Sequence, residues 1–213
     1  MTVFEEIGSF MERGRAPKVK ELVSAALEQG VSAADILDNA LLSKMSEIGE
    51  KFKNNEVFVP EVLVAARAMN AGIEILKPHL SAMGVTKRGT AILGTVKGDL
   101  HDIGKNIVKL MLEGKGIEVI DLGVDVEAEK FIENAIEHNA DVICCSALLT
   151  TTMMEMKRVV DLAVERGIRD KVKIMVGGAP ISQNFCDSIG ADYYTVDGST
   201  ASDVALSICT GAV

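Results

Sequence analysis

The stretch TAILGTVKGDLHDIGKNIVKLML, residues 90–112, decides the fold. Its first seven residues, 90–96, are apolar or β-branched on both alternating faces, which is typical of a strand buried on both sides. A polar loop follows, and apolar side chains then recur at helical spacing over residues 104–112. A strand of this kind that leads directly into a helix is the first half of a βαβ unit, so the stretch predicts a parallel sheet.

The same alternation of short apolar runs and helical patterns repeats downstream. Further strands are predicted at residues 117–122, 141–146, 171–176 and 193–196, and helices at residues 128–138, 152–166, 182–188 and 199–209. These five units predict a flavodoxin-like or Rossmann-like α/β domain, a five-stranded parallel sheet with helices on both faces. Ligands of such sheets bind at the carboxyl ends of the strands, near the point where the strand order reverses.

The chain N-terminal to this stretch has helical periodicity throughout. Four amphipathic patterns, at residues 3–11, 17–27, 32–52 and 60–80, are joined by short links and predict an antiparallel four-helix bundle. The polar segment at residues 81–89 contains two glycines and no periodic pattern. We therefore predict a helical domain at residues 1–82, a linker at 83–89 and the α/β domain at 90–213.

Composition excludes several classes of function. The 213 residues include 22 basic and 31 acidic side chains, and a net charge of −9 disfavours nucleic-acid binding. No apolar run approaches the ~18 residues of a membrane-spanning helix, and the N-terminus does not resemble a signal peptide. The four cysteines form no CxxC pair, so we expect reduced, mostly buried thiols in a cytoplasmic protein.

The loop after the first strand carries the candidate chemistry. Residues 98–106 read GDLHDIGKN, which is neither a dinucleotide fingerprint nor a Walker A loop. Asp99 and His101 are two residues apart, so an extended loop brings the carboxylate to the imidazole and raises the basicity of the other ring nitrogen. The pair suits a metal ligand or a general base. The alternative is a solvated histidine beside ordinary turn acids.

Two further strand ends carry unusual residues. Residues 146–152, SALLTTT, add small hydroxyl groups, which either line a site or cap the next helix. Gly177 and Gly178 follow the fourth strand, where bare backbone either admits a flat ligand or simply forms a turn.

Together, the three strand ends resemble the cobalamin-binding signature. Asp99-x-His101-x-x-Gly104, 41 intervening residues, Ser146-x-Leu148, 28 more residues and Gly177-Gly178 match it in residue type and in both long spacings. The signature belongs to methionine synthase, the adenosylcobalamin mutases and the corrinoid methyl-carrier proteins. The helical half resembles the cap domain of the methyl-transferring members. Size and layout are similar to those of the corrinoid proteins of methylamine, methanol and betaine methyltransferase systems.

The resemblance implies a role for each matching residue. His101 is implied to be the lower axial ligand of cobalt, Asp99 to hydrogen-bond its other ring nitrogen, and Thr152 to extend that relay. The other implied cofactor contacts belong to the His101 loop, to a slot for the nucleotide tail and to the cap over the upper face: Gly98, Leu100, Asp102, Ile103 and Gly104; Ser146, Leu148, Thr150, Gly177, Gly178 and Gly198; Phe52 and Val59. Phe52 also fits the core stripe of its own helix.

The resemblance also implies a methyl shuttle. Bound cobalamin is expected to cycle between cob(I)alamin and methylcob(III)alamin. A substrate:corrinoid methyltransferase would load it from a methylated amine, betaine or methanol, and a second methyltransferase, using tetrahydrofolate or coenzyme M, would unload it. A reductive activase is a further expected partner. Such a chain is the methyl-carrying component of an enzyme system and not a stand-alone enzyme. Its cap is expected to move about a hinge at residues 81–89.

Three alternatives stay open at this point. The cobalamin subunit of an adenosylcobalamin-dependent mutase would share the His101 loop, but it normally accompanies a substrate-binding barrel. A cobalamin-dependent regulator would carry a DNA-binding domain, and this acidic chain shows no basic recognition helix. A flavodoxin-like module without cobalt would leave the matching spacings unexplained.

Overall fold

The computed structural model describes residues 2–82 and 87–212, without the side chains of residues 81 and 82. The chain divides into two compact units, Met1–Lys87 and Arg88–Val213, called here the helical unit and the α/β unit. Residues 83–86, the centre of the predicted linker and hinge, lie outside the described residues.

The helical unit contains the four predicted helical patterns. Its elements are α1 (Val3–Glu12), α2 (Ala16–Glu28), α3 (Ala33–Ile36), a π-helical segment (Leu37–Leu42), α4 (Ser43–Lys53) and α5 (Val59–Ala82). A capping box starts α1, in which the Glu5 amide donates to the Thr2 hydroxyl and the Thr2 amide donates to the Glu5 carboxylate. A proline lies in the first turn of α2, as its position in the sequence predicts.

The third pattern differs from the uniform α-helix that its spacing predicts. From α3 to α4 the helix is continuous, but its middle is π-helical. The consecutive residues Ala40, Leu41 and Leu42 are all buried there, a wider apolar face than the single stripe of a regular amphipathic helix. Among the described residues, no helix is long and apolar enough to cross a membrane.

The α/β unit has the predicted five parallel strands. They are β1 (Thr90–Thr95), β2 (Glu118–Asp121), β3 (Val142–Ser146), β4 (Lys173–Gly177) and β5 (Tyr193–Thr195). The helices are α6 (Ile103–Gly114), α7 (Ala128–Glu137), α8 (Met154–Glu165), α9 (Gln183–Ile189) and α10 (Gly198–Thr210). The strand order β2-β1-β3-β4-β5 is that of flavodoxin-like sheets, so the order reverses between β1 and β3. The predicted fold class is confirmed.

Two apolar cores cover the two faces of the sheet. One core packs α7, α8 and α9 against it, through residues such as Phe131, Val159 and Ile189. The other packs α6 and α10, through Leu112 and Ala205. Each strand contributes alternate residues to the two cores, which is why the strands read as apolar on both faces.

The cysteines follow the same alternation. Cys145 belongs to the first core and Cys144 to the second, so adjacent thiols point to opposite faces of β3. All four cysteines are free, and Cys144, Cys145 and Cys186 are buried. Burial raises the pKa of the Cys145 thiol to about 12, so this thiol is protonated and inert at neutral pH.

Candidate functional site at the switch point of the sheet

The loops that follow β1 and β3 lie side by side at the carboxyl edge of the sheet. Thr95, the last residue of β1, is paired in register with Ser146, the last residue of β3. The Val96 amide then donates to the Ser146 carbonyl at 3.0 Å. The strand order reverses between these two strands, so the loops flank the crevice in which doubly wound sheets bind ligands.

The predicted contact between Asp99 and His101 is present. His101 Nδ1 lies 2.7 Å from Asp99 Oδ1, and the His101 backbone N–H donates to the same oxygen at 3.1 Å. The Asp99 side chain is fully buried, whereas the His101 side chain is half exposed. Because Nδ1 is held by the carboxylate, Nε2 is the ring nitrogen left for a ligand.

The second carboxylate oxygen of Asp99 ties the β3 loop to the β1 loop. Oδ2 accepts the backbone N–H groups of Leu148 at 2.8 Å and Leu149 at 3.1 Å. The Thr152 hydroxyl lies 2.9 Å from Oδ2 and 2.9 Å from the Leu149 carbonyl, so its single proton is shared between two acceptors. Thr152 therefore contacts Asp99, as the implied relay requires, and its role in such a relay stays a prediction. Capping by a hydroxyl of this segment is not observed, since α8 starts without a side-chain cap.

Hydrogen bonds keep Asp99 ionised in spite of its burial. Burial alone would raise the pKa of the carboxyl group. The bond to the His101 ring and the backbone N–H groups of Leu148, His101 and Leu149 outweigh that effect and hold the pKa of Asp99 well below its usual range. A fixed negative charge beside Nδ1 keeps a proton on that nitrogen and makes Nε2 a stronger donor to a metal.

Two residues that the sequence did not single out shape the His101 loop. The Thr95 hydroxyl donates to the His101 carbonyl at 2.9 Å. Asp125, after β2, accepts the Gly98 N–H at 2.7 Å and donates its own N–H to the Asp99 carbonyl at 3.0 Å. For Thr95, the only signal in the sequence was a threonine at the end of an apolar strand. For Asp125, an aspartate in a polar turn gave no signal of a contact with the His101 loop.

The predicted glycines differ in whether the surrounding protein leaves room for a side chain. Gly178 has φ +134°, and a Cβ there would overlap the Ala147 carbonyl, so close backbone approach between the ends of β3 and β4 requires it. Gly198 is buried, and a Cβ would lie 3.2 Å from Ile107 of α6. In contrast, Gly104 is exposed and its Cβ would meet nothing within 4 Å. Protein packing therefore requires Gly178 but not Gly104.

Large apolar side chains at this edge are left exposed. Leu100 is 71% and Ile103 73% exposed in the His101 loop, and Val196, after β5, is 74% exposed. We call the following set the apolar rim: Leu100, Ile103, Leu148, Leu149, Met154 and Val196. These side chains lie in loops or at a helix start after strand ends, on the edge where doubly wound sheets bind ligands, and exposed apolar groups often mark such surfaces. The sequence predicted Leu100, Ile103 and Leu148 but missed the other three members.

The side chains of the remaining predicted contacts take no part in the hydrogen bonds described here for Asp99 and His101. Ser146 is half-buried at the end of β3, and Thr150 and Asp102 are exposed in their loops. Phe52 near the end of α4 and Val59 at the start of α5 belong to the helical unit and are partly buried. Their predicted place over the cofactor stays a prediction.

Comparison with known proteins assigns both units to one kind of molecule. A family model described as a B12 binding domain matches residues 89–206, and a second model with the same description matches residues 3–77. The fold, the histidine–aspartate pair and these matches together define a cobalamin-binding protein.

Two relatives and one solved structure narrow this class. Dimethylamine corrinoid protein 1 of Methanosarcina mazei is 42% identical over 215 residues, covering 99% of this chain and 100% of its own. Trimethylamine corrinoid protein 1 of the same organism is 44% identical over 190 residues, which cover 88% of this chain and 87% of that protein. A chain in the crystal structure of the methanol:cobalamin methyltransferase complex MtaBC from Methanosarcina barkeri superposes with a TM-score of 0.88 at 33% identity, covering 98% of this chain and 80% of that one.

This chain belongs to the corrinoid proteins, the cobalamin-binding methyl carriers of methylamine- and methanol-type methyltransferase systems. The family prediction made from the sequence is confirmed. The mutase-subunit, regulator and cobalt-free alternatives are set aside, because the relatives match both the helical and the α/β unit.

Proposed function

We propose that this chain carries methyl groups between two methyltransferases on a cobalamin seated on the apolar rim, with His101 as the lower cobalt ligand. The observation that carries the proposal is the His101 ring, held by Asp99 at 2.7 Å through Nδ1 and exposed at Nε2. When bound, cobalamin supplies a cobalt centre that accepts and gives up a methyl group.

The residues present fit a corrin ring. A corrin carries its own metal together with most of that metal's ligands, so one further nitrogen from the protein would suffice, and His101 Nε2 is available for it. The apolar rim suits the flat, largely apolar face of the ring. Gly104 leaves open space beside the rim where any larger residue would place a Cβ. Ser146, Thr150, Gly177, Gly178 and Gly198 are the proposed lining of the slot for the nucleotide tail.

The chain's own part in the cycle is to present and withdraw one nitrogen. Asp99 keeps the proton on Nδ1, so Nε2 offers its lone pair. The negative charge of Asp99 beside the ring would strengthen the bond from Nε2 to the metal. The Thr152 hydroxyl takes up part of that charge at Oδ2 and would moderate this effect.

The relatives support the choice of partners. Because the relatives include a dimethylamine and a trimethylamine corrinoid protein, a methylated amine is the proposed donor, in preference to betaine or methanol. A substrate:corrinoid methyltransferase would therefore load the chain, as the methanol:cobalamin methyltransferase complex illustrates for its own corrinoid chain. A second methyltransferase using tetrahydrofolate or coenzyme M, and a reductive activase, complete the proposed set. The free thiols agree with a cytoplasmic location.

The ligand assignment is tested by His101→Ala. The variant should still bind cobalamin through the apolar rim, but electron paramagnetic resonance of the cob(II) form should lose the nitrogen coupling of the wild type. His79→Ala removes an exposed histidine of α5 and should keep that coupling. Nitrogen coupling that persists in loaded His101→Ala would show that another group is the ligand.

The donor is tested by supplying the loaded protein with purified methyltransferases and dimethylamine, trimethylamine or methanol. The absorption spectrum should change to that of methylcobalamin with an amine donor. Loading with methanol alone would contradict the amine assignment and leave the carrier role intact.

A further inference from the structure

We propose that Thr95 is a positioning residue for the cobalt ligand and acts through the backbone of His101. The proposal rests on the proposed function, because it needs His101 to be that ligand. Its basis is the 2.9 Å hydrogen bond from the Thr95 hydroxyl to the His101 carbonyl.

The sheet fixes the donor. Thr95 is the last residue of β1, and none of it is exposed. Its N–H donates to the Gly123 carbonyl at 3.0 Å, and its carbonyl accepts the Val126 N–H at 3.0 Å. Both backbone groups are therefore committed to the sheet edge and the β2 loop. A β-branched side chain on such a strand has few rotamers, so the direction of the hydroxyl is set before any ligand binds.

Thr95 and Asp99 hold different backbone groups of His101. Asp99 Oδ1 accepts the backbone N–H of His101 at 3.1 Å, and Thr95 donates to its carbonyl. Both peptide groups of the histidine are thus tied to fully buried side chains, while its own side chain is half exposed. The ring can leave and return by rotation about its own bonds, with the backbone held in place.

This anchoring should strengthen the bond from Nε2 to cobalt. A ligand held in its bound conformation loses less conformational freedom on binding, so binding is tighter. Packing alone does not explain a threonine at this position, since valine has nearly the same shape and suits the end of a buried strand equally well. The hydroxyl is the part of the side chain that reaches the loop.

The test is the midpoint potential of the cob(II)/cob(I) couple in the loaded full-length protein with Thr95→Val. The axial nitrogen stabilises cob(II) and is released on reduction, so weaker binding raises the potential. Loss of one neutral hydrogen bond should weaken the ligand by roughly two- to tenfold. At 59 mV per tenfold for one electron, this corresponds to a rise of about 20 to 60 mV.

Two controls separate positioning from general damage. Thr95→Ser keeps the hydroxyl and should restore the wild-type potential. Thr90→Val alters an equally buried threonine at the opposite end of the same strand and should leave the potential unchanged. If Thr95→Val does not fold, Thr95→Cys takes its place, because a thiol of similar size is only a weak donor.

Each outcome decides the matter. A raised potential in Thr95→Val or Thr95→Cys, rescued in Thr95→Ser, supports the proposal. A lower melting temperature with unchanged potential and intact nitrogen coupling makes Thr95 merely structural and leaves the carrier function standing. Absence of nitrogen coupling in the wild-type cob(II) spectrum removes His101 as the ligand, and the role of Thr95 falls with it.

Discussion

Asp99 uses both of its carboxylate oxygens as acceptors. Oδ1 accepts from His101, and Oδ2 accepts from the amides of Leu148 and Leu149 and from Thr152. An asparagine cannot reproduce this pattern, because its NH₂ group would face N–H or O–H donors on whichever side it lay. The negative charge is therefore needed for local geometry as well as for the basicity of the ring.

We expect Asp99→Asn to fold but to hold His101 poorly. Changes to a residue that orients a metal ligand typically cost ~10–100-fold in affinity or activity. Cobalamin affinity, measured by absorbance titration, and the rate of methyl transfer should both fall by a factor in this range. Unchanged affinity together with an unchanged rate would remove Asp99 from the relay.

Gly104 offers a test of the cofactor surface at a single atom. A Cβ there touches no protein atom within 4 Å, and alanine is favoured over glycine inside a helix by roughly 0.5–1 kcal/mol. Gly104→Ala should therefore leave the unfolding free energy of the apoprotein unchanged or raised. Its cobalamin affinity should fall roughly tenfold, because the added methyl group would overpack the contact between this helix start and the corrin. Full affinity in a stable variant would mean that the corrin does not lie against this helix start.

At the scale of elements, a buried ion pair joins α6 to β2. Lys105, in the first turn of α6, is 3% exposed, and its Nζ lies 2.6 Å from Asp121 Oδ1 at the end of β2. Lys109 adds a second contact to the same carboxylate at 3.3 Å. A lysine at a helix N-terminus is unfavourable on its own, because that end carries partial positive charge. Asp121 offsets it and so secures the helix start beside the His101 loop.

We expect Asp121→Asn to destabilise the α/β unit by about 3 kcal/mol at pH 7, because removing one partner leaves a buried charge uncompensated. Urea unfolding followed by circular dichroism measures this. Asp161→Asn is the matched control. It breaks an exposed pair with Lys157, also at 2.6 Å, and should cost less than ~0.5 kcal/mol.

The cost of Asp121→Asn should depend on pH in one direction. Burial raises the pKa of Asp121, but the hydrogen bonds from Lys105 and the Gly123 amide, with the charges of both lysines, lower it overall. A carboxyl group with a lowered folded pKa stabilises the fold above its unfolded pKa of about 3.9, and this contribution is lost as the pH falls through the folded pKa. The difference in unfolding free energy between the wild type and Asp121→Asn should therefore shrink below about pH 4. A constant difference from pH 7 to pH 3 would contradict the ion-pair account.

At the scale of the whole molecule, each unit has its own buried apolar residues. Ile7, Met45 and Met69 are among those of the helical unit, and Phe131 and Ile92 among those of the α/β unit. The hydrogen bonds described above for His101 and Asp99 lie within the α/β unit. The helical unit is accordingly not needed to build the site for the lower ligand.

We expect residues 83–213 alone to fold and to bind cobalamin with His101 still coordinated. Circular dichroism, absorbance and the nitrogen coupling of the cob(II) form measure this. If the helical unit acts as a movable cap, the cob(I) form should be oxidised faster in the shortened protein. Residues 1–82 alone are the control and should not bind the cofactor. An insoluble fragment 83–213, or equal oxidation rates, would contradict a separable cap.

Local information was enough for most of the architecture. Short runs that are apolar on both faces identified all five strands, because strands buried on both sides have a composition that differs from that of amphipathic helices. The contact between Asp99 and His101 is also local, since two residues of one loop reach each other without help from elsewhere. In the third helical pattern, local spacing was not enough, because its π-helical middle reflects how wide a face the bundle buries.

The tertiary structure decided which loops meet. Thr152 lies 53 residues from Asp99 in the chain, and only the resemblance to a known family suggested their contact. The positions of Asp125 and Val196 and the need for glycine at Gly178 follow from the order of strands, which places β2 beside β1, β5 beside β4 and β3 beside β4. Periodicity records whether a residue is buried but not which strand lies next to it. The neighbours of the histidine were therefore set by packing of the sheet, and its presence in an exposed loop beside an aspartate was set by the sequence.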